Sequence, residues 1–175
     1  PVSSVDPTPL FAFGHGLSYT RFEYGGLTIS PVSAGQSGGQ PPDGDGQHPH
    51  ATVATDGPAD IGCTVRNTGS RPGTEVVQLY LGDPVAQVVR PVRWLAGFAR
   101  VTLEPGEERR VAFRLHADRT SFHGRSGQRV VEPGEIVVEV GAASDNLPLR
   151  GSVTLTGPER TVGADRVLTT PVSTG

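Results

Sequence analysis

Apolar and polar positions alternate with a period of two through most of residues 61–156, and glycine and proline cut the alternation at intervals. Such a period marks half-buried strands. Ile61, Cys63 and Val65 alternate with Gly62, Thr64 and Arg66. Val77, Leu79 and Leu81 follow, flanked by Val76 and Tyr80, so this strand is apolar on nearly both faces and is expected to be central. Residues 94–103, WLAGFARVTL, resume as a strand with Leu95, Phe98, Val101 and Leu103 as expected core positions. Val111, Phe113 and Leu115 point one way against Arg110, Arg114 and His116. Ile136, Val138 and Val140 form the next inward row, and Val153 and Leu155 the last. Residues 22–30 supply a first strand with Leu27 and Ile29 on one face. No stretch holds a convincing 3.6-residue period, so these spacings predict an all-β sandwich of about seven strands, spanning residues 21–156.

The punctuation supports this reading. Asn67 to Gly73 is turn chemistry, because Asn and Gly tolerate positive φ and Pro72 sets its own φ. Glu104-Pro105-Gly106-Glu107 recurs as Glu132-Pro133-Gly134-Glu135, and Pro followed by Gly meets the requirement of a type II turn at both places. Pro84 and Pro91 make residues 83–93 a crossing between sheets or an edge segment.

Outside the alternation lie three segments of different character. Residues 1–9 hold three prolines and read as an extended linker. In residues 10–24, LFAFGHGLSYTRFEY, five of the chain's aromatic side chains gather on a backbone kinked by Gly14 and Gly16. Aromatics this dense need a surface to pack on. Phe22 and Tyr24 are expected to use the domain's own core. For Phe11 and Phe13 the surface is either the edge of that core or a neighbouring domain, and Phe11, Phe13, His15, Leu17 and Tyr19 form the candidate interdomain docking set, with residues 1–20 as linker and docking segment. Residues 31–50 are Gly, Pro, Gln and Asp with almost nothing apolar, which predicts a disordered insertion. Residues 157–175 are polar and are expected to form a flexible tail.

Composition narrows the chemistry. A net charge of −3 and a pI near 5.9 give no basic patch for nucleic acid or an anionic membrane. No apolar run is long enough to span a bilayer. The single cysteine, Cys63, sits in an apolar row and reads as a small buried hydrophobe. His48 and His50 make an HxH pair inside the insertion, but two histidines without further ligands are a weak metal site, so neither a metal nor a cofactor is expected. The placeable acidic residues, Asp83, Glu104, Glu132 and Glu135 in turns and Glu108 and Glu139 on outward faces, read as solvated. Arg66 and Arg90, at strand ends, read as structural pairing partners. Trp94 reads as packing against the sandwich, with an exposed platform as the alternative. No nucleophile motif, zinc motif or phosphate loop is present, and no catalytic residue is expected in the chain. With no Met and a start at Pro1, the chain reads as the C-terminal piece of a longer polypeptide.

Four segments carry a family likeness. FAFGHGLSYTRFEY, VRNTGSRPGTEVVQLYLGDP, RPVRWLAGFARVTLEPGE and VVEPGEIVVEVGAAS, in that order, resemble the C-terminal region of family 3 glycoside hydrolases, the β-glucosidase and β-xylosidase group. The likeness implies an immunoglobulin-like, fibronectin type III-like sandwich. It also implies a parent that hydrolyses β-glycosides with retention, through an Asp nucleophile in an Asp-Trp motif and a Glu acid/base on preceding domains. Neither maps here, since the only Trp, Trp94, follows Arg93. Two departures stand out: the long Gly-rich insertion at 31–50, and His123 and Arg129 where aromatics are often found in the family. The chain is therefore expected to be a non-catalytic scaffold docked on the preceding catalytic domains of the same polypeptide, meeting a β-glycoside only through that parent. An independent carbohydrate- or cell-wall-binding module, built on exposed aromatics such as Trp94 or Tyr80, is the alternative, and a self-sufficient hydrolase is third. The compartment is left open by the sequence.

Overall fold

A computed structural model describes residues 9–32 and 48–175. The linker at residues 1–8 and the centre of the insertion, residues 33–47, lie outside the described residues. The strands in chain order are β1 (Phe22–Pro31), β2 (His50–Ala54), β3 (Pro58–Asn67), β4 (Gly73–Gly82), β5 (Trp94–Leu103), β6 (Glu108–His116), β7 (Phe122–His123), β8 (Arg129–Val131), β9 (Gly134–Gly141), β10 (Leu149–Thr156), β11 (Arg160–Thr161) and β12 (Val172–Thr174), with one 3-10 turn at Ala117–Thr120. All seven strands read from the alternation are present, as β1, β3, β4, β5, β6, β9 and β10.

They form two main sheets, in the orders β1-β3-β6-β12 and β2-β10-β9-β4-β5. A small sheet, β11-β8-β7, closes one side. Pairing is antiparallel except between β10 and β2. The fold class is thus the all-β, fibronectin type III-like sandwich that the alternation and the family likeness imply. The inward rows meet between the sheets. Ile61, Val65, Val77, Leu79, Leu81, Leu103, Val111 and Phe113 are all fully buried there. Each such side chain contributes about 1.5–3 kcal/mol on leaving water.

Four details differ from expectation. Phe98 is exposed, not core, because it shares the outward parity of Arg100 and Thr102, while Ala99, Val101 and Leu103 point in. An extra residue in β5, opposite the Leu79/Tyr80 step, resets the alternation there. Residues 83–93 do not cross between sheets: β4 and β5 are antiparallel neighbours, so the two prolines sit in a long hairpin connection. The first Pro-Gly turn is a closed type II turn, with Gly106 at φ 81° and the Glu107 amide donating to Glu104 O at 3.0 Å. The second is not: Gly134 has φ 153° and begins β9 directly. There Glu132 is held from the side, its Oε1 accepting from Gln87 Nε2 at 2.7 Å.

The fourth difference is the C-terminal stretch. Residues 157–175, expected as a flexible tail, lie along the sandwich. β12 pairs with β6, placing Val172 opposite Phe113. β11 pairs with β8, and Val162 is buried. The edge of β6 leaves its backbone donors and acceptors open, and a polar strand can satisfy them without any apolar period of its own.

Candidate docking surface

Residues 10–20 are fastened by backbone and short side chains while the large side chains point away. The His15 amide donates to Ala12 O at 3.0 Å, closing a tight turn. Gly14 continues it at φ 92° and lies so close to β4 and the 142–148 loop that a Cβ would enter contact distance of Gln78 Nε2 and stand 2.9 Å from Ala142 O. The Ser144 amide donates to Phe13 O at 2.9 Å. Ser18 Oγ donates to Thr74 O at 2.8 Å, and the Thr68 amide donates to Arg21 O at 2.9 Å. Gln78 and Tyr80, on the outer face of β4, are both buried, and Gly14 lies against the Gln78 amide. Tyr80 donates to Gln78 Oε1 at 2.6 Å, and Gln78 Nε2 donates to Ala142 O at 2.5 Å.

Above this clamp, Leu10, Phe11, Phe13, Leu17 and Tyr19 are all exposed, Tyr19 at 96% and Phe13 at 67%. His15 is also exposed and stacks on Phe11 with ring centroids 4.8 Å apart. Together they leave a run of apolar side chains uncovered on a fixed backbone. By contrast Phe22 and Tyr24 pack against the core cluster, as expected. The β4–β5 connection adds Val85, Val89 and Val92, also exposed. It is joined to the 142–148 loop by Arg93, whose Nη1 donates to Ser144 O at 2.6 Å.

Below the segment runs an open groove of about 620 Å³, lined among others by His15, Ser18, Glu23, Tyr24, Glu75, Asp145 and Asn146. Glu75 is only 3% exposed. Its Oε1 accepts from the Val76 amide at 2.8 Å. Burial raises its carboxyl above the usual carboxylate range, against the lowering effect of the Val76 amide and the nearby Ser18 and Tyr24 hydroxyls. The Tyr24 hydroxyl is fully buried without a well-formed hydrogen bond, and burial, then the Glu75 charge, pushes its ionisation upward. Sequence reasoning passed over Glu75, because a single Glu at the start of an apolar strand carries no motif.

Most of the remaining candidates are occupied structurally, whereas Arg66 is exposed and no ion pair holds it among the described residues. Burial pushes the Cys63 thiol up to about 12, with Arg110 pulling the other way, so it stays a protonated hydrophobe at neutral pH. Trp94 is half-buried and its face is covered: the Arg90 guanidinium lies 4.3 Å from its ring centroid and 4.5 Å from that of Phe122. Arg90 Nη1 also pairs with Asp83 at 2.6 Å, so Asp83 is a buried partner and not a solvated turn residue. Glu139, expected on a solvent face, is largely covered between Arg93 and Arg150, at 3.4 and 3.9 Å. His123 contacts Gly127 O, and Arg129 Nη1 donates to Ser121 O, so both serve the β7–β8 hairpin. His50 is drawn into β2, with its Nε2 2.9 Å from Thr154 Oγ1, and no group of three or more His, Cys, Asp or Glu side chains gathers among the described residues.

Comparison with known proteins agrees with this architecture. The profile of the fibronectin type III-like domain matches residues 75–144. The chain is 39% identical over 139 residues to a β-xylosidase of Formosa agariphila and 37% identical over 147 residues to a β-glucosidase of Bacteroides ovatus. These alignments cover 79% and 83% of the chain but 17% of each relative. A β-glucosidase structure from Erythrobacter marinus superposes with a TM-score of 0.69 at 37% identity, over 87% of this chain and 18% of that one. The β-glucosidase of Listeria innocua crystallised with laminaribiose gives 0.70 at 29% identity, over 89% and 18%. The chain thus spans less than a fifth of the length of these relatives.

Proposed function

We propose that this chain, which belongs to the fibronectin type III-like C-terminal domains of family 3 glycoside hydrolases, is a non-catalytic scaffold that steadies the catalytic domains of a β-glycoside-hydrolysing parent. The observation that carries this reading is the row Leu10, Phe11, Phe13, Leu17 and Tyr19, with His15 stacked on Phe11. It is held out from the sandwich on a backbone clamped at Ser144, Thr74 and Thr68. Apolar surface of this kind is stabilising only when something covers it. The preceding part of the same polypeptide is the partner with the shortest path to it.

A carbohydrate-binding platform has less support, because Tyr80 is buried and the Trp94 face is taken by Arg90. The experiment is a Phe11→Ser/Phe13→Ser variant, made both in the 175-residue chain and in the parent polypeptide. The chain alone should melt as the unmodified chain does, since surface changes of this kind stay within about 0.5 kcal/mol. The parent should lose several degrees of thermal stability and part of its activity on an aryl β-glycoside. A parent that melts and turns over unchanged would refute the scaffold reading.

A further inference from the structure

The groove under residues 14–24 is acidic and lacks its counter-charge. Glu23 and Asp145 stand at its exposed rim, and Glu75 lies almost wholly buried in its wall. No Lys or Arg lines it. Among the described residues none of the three carboxylates takes part in an ion pair. Arg93, which reaches the same loop, is committed to Ser144 O and Glu139. The Tyr24 hydroxyl, beside Glu75, is buried without a well-formed partner.

Glu75 has the Val76 amide and the nearby Ser18 and Tyr24 hydroxyls as donors but no cation, and a carboxylate buried without a cation is costly. That partner cannot be a Lys or Arg of this chain's remaining residues. The 15 basic residues are all arginines, every one of them among the described residues, and residues 1–8 and 33–47 contain neither Lys nor Arg. Among the described residues His15 is the one basic side chain in the groove's lining, so a permanent positive charge there comes from outside the chain.

We propose that this groove receives an arginine or lysine side chain from the domain against which residues 10–20 dock. The inference rests on the docking reading and adds its electrostatic key. The inserted cation pairs with Glu75 at the wall and with Glu23 and Asp145 at the rim. The apolar row supplies area, and the groove supplies register, because a charge placed in the wrong position would leave Glu75 unpaired.

The test uses opposite signs in two contexts. Glu75→Gln in the 175-residue chain should leave the melting temperature unchanged or raise it, since a buried carboxylate without a counter-charge is removed. In the parent polypeptide the same change should lower it. Glu23→Gln/Asp145→Asn, at exposed positions that do not bear on folding, should lower the parent's melting temperature at low salt, with the difference shrinking at about 1 M salt, where the Debye length is near 3 Å. If neither carboxylate variant moves the parent while Phe11→Ser/Phe13→Ser does, the groove inference is wrong and the docking reading stands. If the phenylalanine pair is silent as well, both fall. A Glu75→Gln shift of equal size and sign in the chain alone and in the parent would show a purely internal role and overturn the proposal.

Discussion

The Thr20 hydroxyl donates to Asn67 Oδ1 at 3.2 Å, so the segment of residues 10–20 ends on the side chain that organises the β3–β4 corner. Asn67 is fully buried. Its Nδ2 donates to Arg71 O at 2.7 Å and to Leu103 O at 3.0 Å, while Oδ1 also accepts from the Gly69 amide at 3.0 Å. Its backbone closes on the type II turn, with the Gly106 amide donating to Asn67 O at 2.8 Å. One side chain therefore ties two sheets and the segment of residues 10–20 together. Asn67→Ala should cost about 2–3 kcal/mol, because buried carbonyls lose their donors. Urea unfolding of the chain measures this, and a loss below about 0.5 kcal/mol would show the corner is held otherwise.

Gly14 is required by both its φ of 92° and its closeness to Ala142 O. Gly14→Ala should cost about 1–3 kcal/mol locally. The loss should appear as faster hydrogen exchange at the Ser144 amide, which donates to Phe13 O, with little change at the amides of β3 and β6. Uniform loss of protection across the core would contradict this.

Asp118 holds the C-terminal stretch against the sandwich, through the Arg160 guanidinium and through Oδ2, which accepts from the Val167 amide at 2.8 Å. Burial pushes its carboxyl up, but Arg160, the Val167 amide and the charge of His116 outweigh this and leave it below the usual carboxylate range. A depressed folded value means the stabilisation is present above the unfolded value, near 3.9, and is lost as pH falls through the folded value. Residues 160–168 should therefore detach below about pH 4, before the core unfolds. Limited pepsin digestion should cut that stretch first in the native chain, and Asp118→Asn should be cut there already at higher pH. Equal resistance of both proteins would argue against the latch.

Arg90 lies between the Trp94 and Phe122 rings and pairs with Asp83. Arg90→Met keeps the bulk but removes both cation–π contacts and leaves Asp83 unpaired where it is largely buried, at a cost of about 2–4 kcal/mol. Trp94 is the chain's only tryptophan, so its emission reports the site directly. The spectrum should shift and the melting temperature should fall. An unchanged spectrum would mean that the stack does not persist in solution.

Much of the sandwich was legible because a period-2 row such as Ile61, Cys63 and Val65 has one arrangement that buries it, and because Asn, Pro and Gly between the rows allow few backbone paths. The exposed row from Leu10 to Tyr19 was legible as aromatic density on a glycine-kinked backbone. Its direction was not, since the partial burial of Phe22 and the exposure of Phe13 depend on where β1 begins. Phe98 was misread because the extra residue in β5 shifts parity, and a bulge depends on the partner strand.

The chain's own residues determined the strands, the all-β class and the family likeness, because these rest on local alternation and turn chemistry. Tertiary structure alone decided the rest. Glu75 acquires meaning only when residues 14–24 fold over it. Residues 172–174 become a strand only because the edge of β6 lies open beside them. In both cases the deciding contact joins residues far apart in the chain, and a local pattern carries no trace of it.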